Sequence, residues 1–430
     1  MGINPIQQLK NKQSSFNYQL QSQVESANKL LENNKNSEID EIERLSKENN
    51  ENFQINLNIQ IDQKFQNKIV ILEIESKDTD WIIIRGRHGL LTIAEQLDTE
   101  AIKAPAISFV AKMGEIIGTM QMFSQKNSQA KRLRKWLLTS QEKLKTTYPD
   151  ELSYLIINDR TKFEIPWEML TLENNNLLGA SIVTVRWQDI TNTDDLADVN
   201  SLINLEVVEN SCSGKMVAYF TEDLPAVQEE KKNLDKFKPF FKENIHSFFK
   251  FIEKLESNIS LIFIASHGFF GDDLSKSKLG EEEDTKQQIS LIQLYEYNFG
   301  FLEKSPSIIF MNSCHSGRLQ YHDSSHILDQ DYPIGFSTFF LEKGAAGVIG
   351  TLCKVADKYA AIVSRNFFEE YEQDPHLSVA TILKNLRLKA IQKYQSEKND
   401  DNKLLLIFTF MYIYYGNPMA KLNIIPHEEN

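Results

Sequence analysis

Cysteine is scarce in this chain. Three thiols (Cys212, Cys314 and Cys353) among 430 residues cannot staple a fold of this size, which excludes a disulfide scaffold and points to a reducing, cytoplasmic compartment. Basic charge is in deficit as well. Lys and Arg number 47 against 60 Asp and Glu, a net charge of −13, so the molecule as a whole repels phosphate backbones and anionic lipid surfaces. Neither nucleic acid nor a membrane is expected as a direct partner. Long apolar runs are missing: the longest, 404–415, is interrupted by Thr409 and falls short of the roughly 20 residues that cross hydrocarbon, so it reads as a buried core strand. The amino terminus joins no basic start to an apolar run, and Met-Gly-Ile-Asn-Pro-Ile lacks the Ser or Thr of a myristoylation signal. No internal repeat is visible, which excludes a solenoid.

What is present divides the chain in three. Residues 1–51 are rich in Asn and Gln, and Ile6, Leu9, Phe16, Leu20, Val24, Ala27 and Leu31 fall at helical spacing. After a break at 33–37, Ser37-Glu38-Ile39-Asp40 resembles a capping box that opens a second helix through Ile42 and Leu45. This pattern predicts an amphipathic helical hairpin. Residues 52–147 predict a small α+β domain: Ile55, Leu57, Ile59 and Ile61 alternate with polar residues, two further strand-like runs follow, and a helical pattern covers 108–147. Its basic stretch (Lys126, Lys131, Arg132, Arg134, Lys135) reads as a solvated helix face. From 148 to 430, Ile/Leu/Val-rich runs alternate with amphipathic stretches, the pattern of an α/β sheet whose strands are mostly parallel and buried on both faces.

Two of those runs end on chemically capable side chains. His267 follows one apolar strand directly and Cys314 follows the next. Consecutive strands are usually neighbours, and open parallel sheets place ligands at the carboxyl ends of their strands. A thiol near pKa 8.5 is mostly protonated at neutral pH and needs an adjacent imidazole to become a nucleophile. Taken singly, a buried cysteine and a strand-end histidine are structural residues. Together, the histidine lies 47 residues before the cysteine, matching the order and the spacing of about 50 in caspase-type nucleophiles. Each is followed by glycine, in "SHG" and "CHSG", where backbone can approach a substrate closely.

At these residues the sequence resembles the CHAT peptidases, caspase-like cysteine proteases of the clan that also holds caspases, metacaspases, gingipains and separases. The resemblance runs over about 152–422 and rests on "FEIPWEML", "IFIASHG", "IIFMNSCHSG", "GFSTFFLEKGAAGVIGTLCKVAD" and "YYGNPMAKL", in that order. It implies a caspase-hemoglobinase fold, a parallel-rich sheet sandwiched by helices, and endopeptidase activity on a protein substrate. Carried over, Cys314 is the nucleophile, His267 the general base and later acid, and the backbone N–H groups of Gly268 and Cys314 the oxyanion hole. No cofactor is implied and no third catalytic side chain is demanded. Relatives of this kind in bacteria act in antiviral defence or programmed cell death.

Other residues carry weaker expectations. His315, His322 and His326 crowd the region without metal-ligand spacing, so no metal is expected and they read as lining the cleft. Metacaspase-like members that cut after Lys or Arg carry an acidic residue two positions before the cysteine. Here that position is Asn312, which predicts a substrate-binding pocket with a neutral floor, since residues two apart on a strand share a face. The acidic segment 272–287 reads as a solvated loop, with a rim for basic substrates, a calcium-responsive cluster or a processing loop as alternatives. The leading function is a cytosolic cysteine endopeptidase controlled by a protein activator or sensor through the amino-terminal region. Its rivals are an idle caspase-like scaffold and a hydrolase of non-peptide amides.

Overall fold

The computed structural model describes residues 60–61, 68–88, 97–109, 113–147, 154–173, 176–188, 206–242, 244–255, 257–271, 273–322 and 332–427. The helical hairpin expected over 1–51 lies outside the described residues. In chain order, β1 (Ile69–Asp78) and β2 (Trp81–His88) form an antiparallel pair. Helices α1 (Ile116–Lys126) and α2 (Ser128–Thr147) follow, separated at Asn127, whose side chain accepts N–H bonds from Gln129 and Ala130 at 2.9 and 3.1 Å and so caps the second helix. Then come β3 (Tyr154–Asp159), β4 (Val183–Trp187), β5 (Asn210–Phe220), α3 (Val227–Leu234), β6 (Phe240–Lys242) and α4 (Ile245–Glu253). Strand β7 (Ile259–Phe269) precedes a short hairpin of β8 (Lys278–Gly280) and β9 (Gln288–Ser290). The chain continues through β10 (Ile308–Ser313), α5 (Phe336–Glu342), β11 (Gly347–Thr351), α6 (Asp357–Gln373), α7 (Val379–Ser396), α8 (Asp400–Met411), β12 (Tyr412–Gly416) and β13 (Ala420–Ile424).

The main sheet runs β6-β5-β7-β10-β11-β12-β4-β3-β1-β2. It is parallel except at β11–β12 and β1–β2. Strands β5, β7, β10 and β11 therefore deliver their carboxyl ends to one edge, the edge where an open parallel sheet can hold a site. Their Ile/Leu/Val/Phe content follows from burial: Ile262, Phe263, Ile264, Phe310 and Met311 are all at 0% exposure, and each such side chain contributes about 1.5–3 kcal/mol. Helix α6 covers this centre with Phe367 and Phe368, whose rings lie 5.1 and 6.5 Å from that of Phe310. Among the described residues, no helix is long and apolar enough to cross a membrane.

Two expectations are corrected. The apolar run 404–415 is not one strand: α8 occupies it to Met411 and only Tyr412 onward is extended. Asn399 starts this helix by accepting the Asn402 N–H at 2.8 Å, and Leu405–Met411 are buried on every side, so no polar stripe marks the helical period. Of the strands expected to build a small sheet of their own before 147, the second and third, β1 and β2, instead extend the main one, while the described part of the first, 60–61, pairs with 206–207 in a separate two-stranded sheet. Strand β1 pairs in parallel with β3, from Ile69 opposite Tyr154 to Ile74 opposite Asp159, and no sheet boundary falls at 147.

Candidate active site

Strands β7 and β10 pair in parallel with Ser266 opposite Ser313, so the next residues, His267 and Cys314, leave the same edge side by side. The backbone of Gly268, the residue after the histidine, closes on that of Cys314. A Cβ on Gly268 would stand 1.8 Å from the Cys314 carbonyl oxygen, so only glycine permits this approach. The turn after the thiol is clamped by the end of β11 and the residues that follow it. The Thr351 hydroxyl donates to the Ser313 carbonyl at 2.7 Å, the His315 N–H to Cys353 O at 3.1 Å, and the Gly317 N–H to Thr351 O at 2.9 Å. His315 takes a positive φ of 59°, a strained conformation for a non-glycine residue that this clamp sustains. The glycines of "CHSG" and "GVIG" meet as well, since a Cβ on Gly350 would lie 2.7 Å from the Gly317 nitrogen.

The Cys314 Sγ sits 3.5 Å from the Val355 carbonyl, and burial pushes its thiol up while Lys354 pulls it down. The His267 ring, 23% exposed, has Nε2 at 3.3 Å from Asp223 Oδ1 and Nδ1 at 3.8 Å from Glu282 Oε2. Among the described residues, no hydrogen bond joins this ring to the Cys314 thiol. Glu282 belongs to the connection between β8 and β9, and β8 pairs antiparallel to β7 with Gly280 opposite His267. The segment expected as a solvated loop is exposed over 282–286, and its hairpin makes it a strap that also brings Glu282 beside the histidine. Its backbone is held by Gln288 Nε2 donating to Glu281 O at 2.7 Å and by the Glu282 N–H donating to Asp223 Oδ2 at 3.0 Å.

Asp357, the first residue of α6, brings another carboxylate to the edge. Its Oδ2 accepts the Ala226 N–H at 2.5 Å, and burial raises its pKa while His267 lowers it. On the side of β10 covered by α3 and α6, Asn312 departs from expectation. It is 4% exposed, and its carboxamide is committed within the fold: Nδ2 donates to Glu230 Oε1 and to Ala360 O, and Oδ1 accepts from the Tyr412 hydroxyl. It does not offer a free neutral floor to a substrate pocket. Spacing along a strand sets which face a residue takes, not what packs on that face, and here α3, α6 and Tyr412 take up the carboxamide.

His315 is half-buried, with Nδ1 unpartnered, and burial lowers its pKa to about 4, so it stays neutral. The side chains of His322 and His326 lie outside the described residues. Cys212 and Cys353 are free and buried, with burial raising the Cys212 thiol to about 12. Sequence reasoning missed Asp223, Asp357 and a clasp between Glu164 and Arg318. Arg318 binds both Glu164 oxygens at 2.6–3.0 Å and lies 3.9 Å over the Phe270 ring, tying the segments after Cys314 and His267 to the "FEIPWE" stretch. Asp223 was findable, since it too follows an apolar parallel strand within three residues.

The family model described as CHAT domain matches residues 127–411, well over half of the chain. Among solved structures, separase of Saccharomyces cerevisiae in complex with securin is similar in two crystal structures. Identities are 15% and 16% with TM-scores of 0.36, and the match covers 67% and 66% of this chain and 17% of the separase chain. This chain therefore spans about a sixth of separase. The complex of pro- and mature domains of Porphyromonas gingivalis RgpB matches at 11% identity and a TM-score of 0.36, over 65% of this chain and 69% of that one. No curated protein matches the sequence. The extent of the family match, on a largely parallel α/β sheet, establishes that this chain belongs to the CHAT domain family.

Proposed function

We propose that this chain is a cysteine endopeptidase, with Cys314 as nucleophile and His267 as its acid–base partner. The supporting observation is the emergence of His267 and Cys314 from paired strands, with Gly268 against the Cys314 backbone. In this reading Cys314 Sγ attacks the scissile carbonyl and its proton passes to His267, which delivers it to the departing amine. The backbone N–H groups of Gly268 and Cys314 face the oxygen that gains charge. Water, deprotonated by His267, then attacks the thioester, releases the new carboxyl terminus and restores the thiol.

The resting site is not fully set for this step: His267 Nδ1 faces Glu282 Oε2 at 3.8 Å, and burial favours the protonated form of the Cys314 thiol. That supports control by a protein activator or sensor acting through the amino-terminal region, in a cytoplasmic setting such as antiviral defence or cell death. An idle scaffold is the alternative. The carboxylates of Asp223, Glu282 and Asp357 around the dyad favour positive charge on the substrate near the cut, in place of the uncharged residue that Asn312 suggests in the sequence. The test is cleavage of a proteome-derived peptide library by the purified full-length chain and its activated form. Cys314→Ala and His267→Ala should each lose at least about 10²-fold, since members of one unit fail together. Undiminished cleavage by Cys314→Ala overturns the assignment.

A further inference from the structure

The loop after β5 holds a carboxylate with more order than its position on the surface requires. Thr221 is at 0% exposure, and its N–H donates to Ala265 O on β7 at 3.0 Å, two residues before His267. Its hydroxyl donates to Asp223 Oδ1 at 3.0 Å, the Glu282 N–H donates to Oδ2 at 3.0 Å, and Oδ1 faces His267 Nε2 at 3.3 Å. The circuit from β7 through Thr221 and Asp223 returns to the β7 histidine. The other carboxylates near the ring are placed differently. Glu282 stands at 3.8 Å from Nδ1 with a side chain 61% exposed, and the Asp357 carboxylate is turned to the Ala226 N–H.

We propose that Asp223 is the positioning residue of His267: its carboxylate accepts the Nε2 proton and fixes the tautomer in which Nδ1 carries the lone pair that takes the proton of Cys314. This rests on the peptidase reading of the pair. A histidine has one donor and one acceptor when neutral, so an acceptor at one nitrogen decides which nitrogen acts as base. At 3.3 Å the contact is looser than a good hydrogen bond, as apo catalytic contacts often are. Asparagine at 223 has the same shape but can turn N–H groups toward Nε2, which selects the wrong tautomer.

The test needs no substrate. The rate of Cys314 alkylation by iodoacetamide at neutral pH is measured by site-resolved mass spectrometry on the full-length chain and on Asp223→Asn, Asp223→Ala, Asp223→Glu, His267→Ala and the Asp223→Asn/His267→Ala double variant. Asp223→Asn should slow alkylation roughly tenfold, as much as Asp223→Ala, with Asp223→Glu restoring part of it. The double variant should be no slower than His267→Ala alone. The sign is diagnostic, because deleting a negative charge near a thiol otherwise lowers its pKa and speeds alkylation. Asp223→Asn reacting at the wild-type rate or faster, while His267→Ala is slowed, overturns the role of Asp223 and leaves the dyad standing. His267→Ala reacting at the wild-type rate overturns the dyad reading and the inference with it.

Discussion

Asn312, two residues before the candidate nucleophile, rests on a buried carboxyl that forms no ion pair among the described residues. Glu230 is at 1% exposure; its Oε1 accepts from Asn312 and from the Ser364 hydroxyl, and burial raises its pKa to about 7 from 4.5. A folded-state pKa above the unfolded one means that the native state binds the extra proton. This group's stabilisation is therefore complete below pH 4.5 and is lost as pH rises to 7, at an order-of-magnitude cost of ~3 kcal/mol. Glu230→Gln keeps the accepting oxygen and removes the titration, so its melting temperature should exceed the wild type's by several degrees at pH 8 and match it near pH 5. A constant offset between the two pH values contradicts this. Gly268→Ala tests the close approach in the same way: the methyl must push the Cys314 carbonyl aside, so Cys314 alkylation should slow sharply even in protein that still folds. At this scale His267 and Cys314 were legible because an apolar run breaks at each. Asn312 misled because spacing cannot show that α3 and α6 pack on that face and occupy its carboxamide, and Asp223 was passed over because a strand-end aspartate looks like ordinary loop.

Elements were readable wherever burial is one-sided or strands are flanked by breaks. The amphipathic stretches expected between the apolar runs after 148 appear as helices such as α6, where Phe367 and Phe368 are buried and Lys358 and Glu369 exposed. Reading failed where burial is complete, as in α8, since periodicity needs a polar face to be seen. The strap between β8 and β9 could not be read, because only pairing with β7 brings its carboxylates to His267. Glu281 shows the crowding: desolvation, followed by Asp223 and Asp284, raises its pKa. Replacing Glu281, Glu282 and Asp284 together by their amides should reduce any preference for a basic residue near the cut by about two- to tenfold, because exposed charge pairs are weak singly. Library profiling of both proteins checks it, and an unchanged profile removes the strap from substrate selection.

The sheet decides where the molecule can be cut. Strand β1 lends fully buried residues (Ile69, Ile71, Leu72, Ile74) to the layer shared with β3, so the sheet that carries the candidate site does not begin at 148. The larger of two compact units comprises 58–322 and 331–430. Deleting 1–57 should leave soluble, cooperatively melting protein with altered activation, whereas deleting 1–147 should give insoluble protein, because β3 would become a bare hydrophobic edge. Soluble, cooperatively folded 148–430 contradicts this. The measurement closest to the central claim is trapping of the full-length protein by a peptide acyloxymethyl ketone, followed by intact mass and peptide mapping. One adduct on Cys314 is predicted, absent in Cys314→Ala and strongly reduced in His267→Ala; labelling of Cys212 or Cys353 instead, or of Cys314 equally with and without His267, contradicts the account.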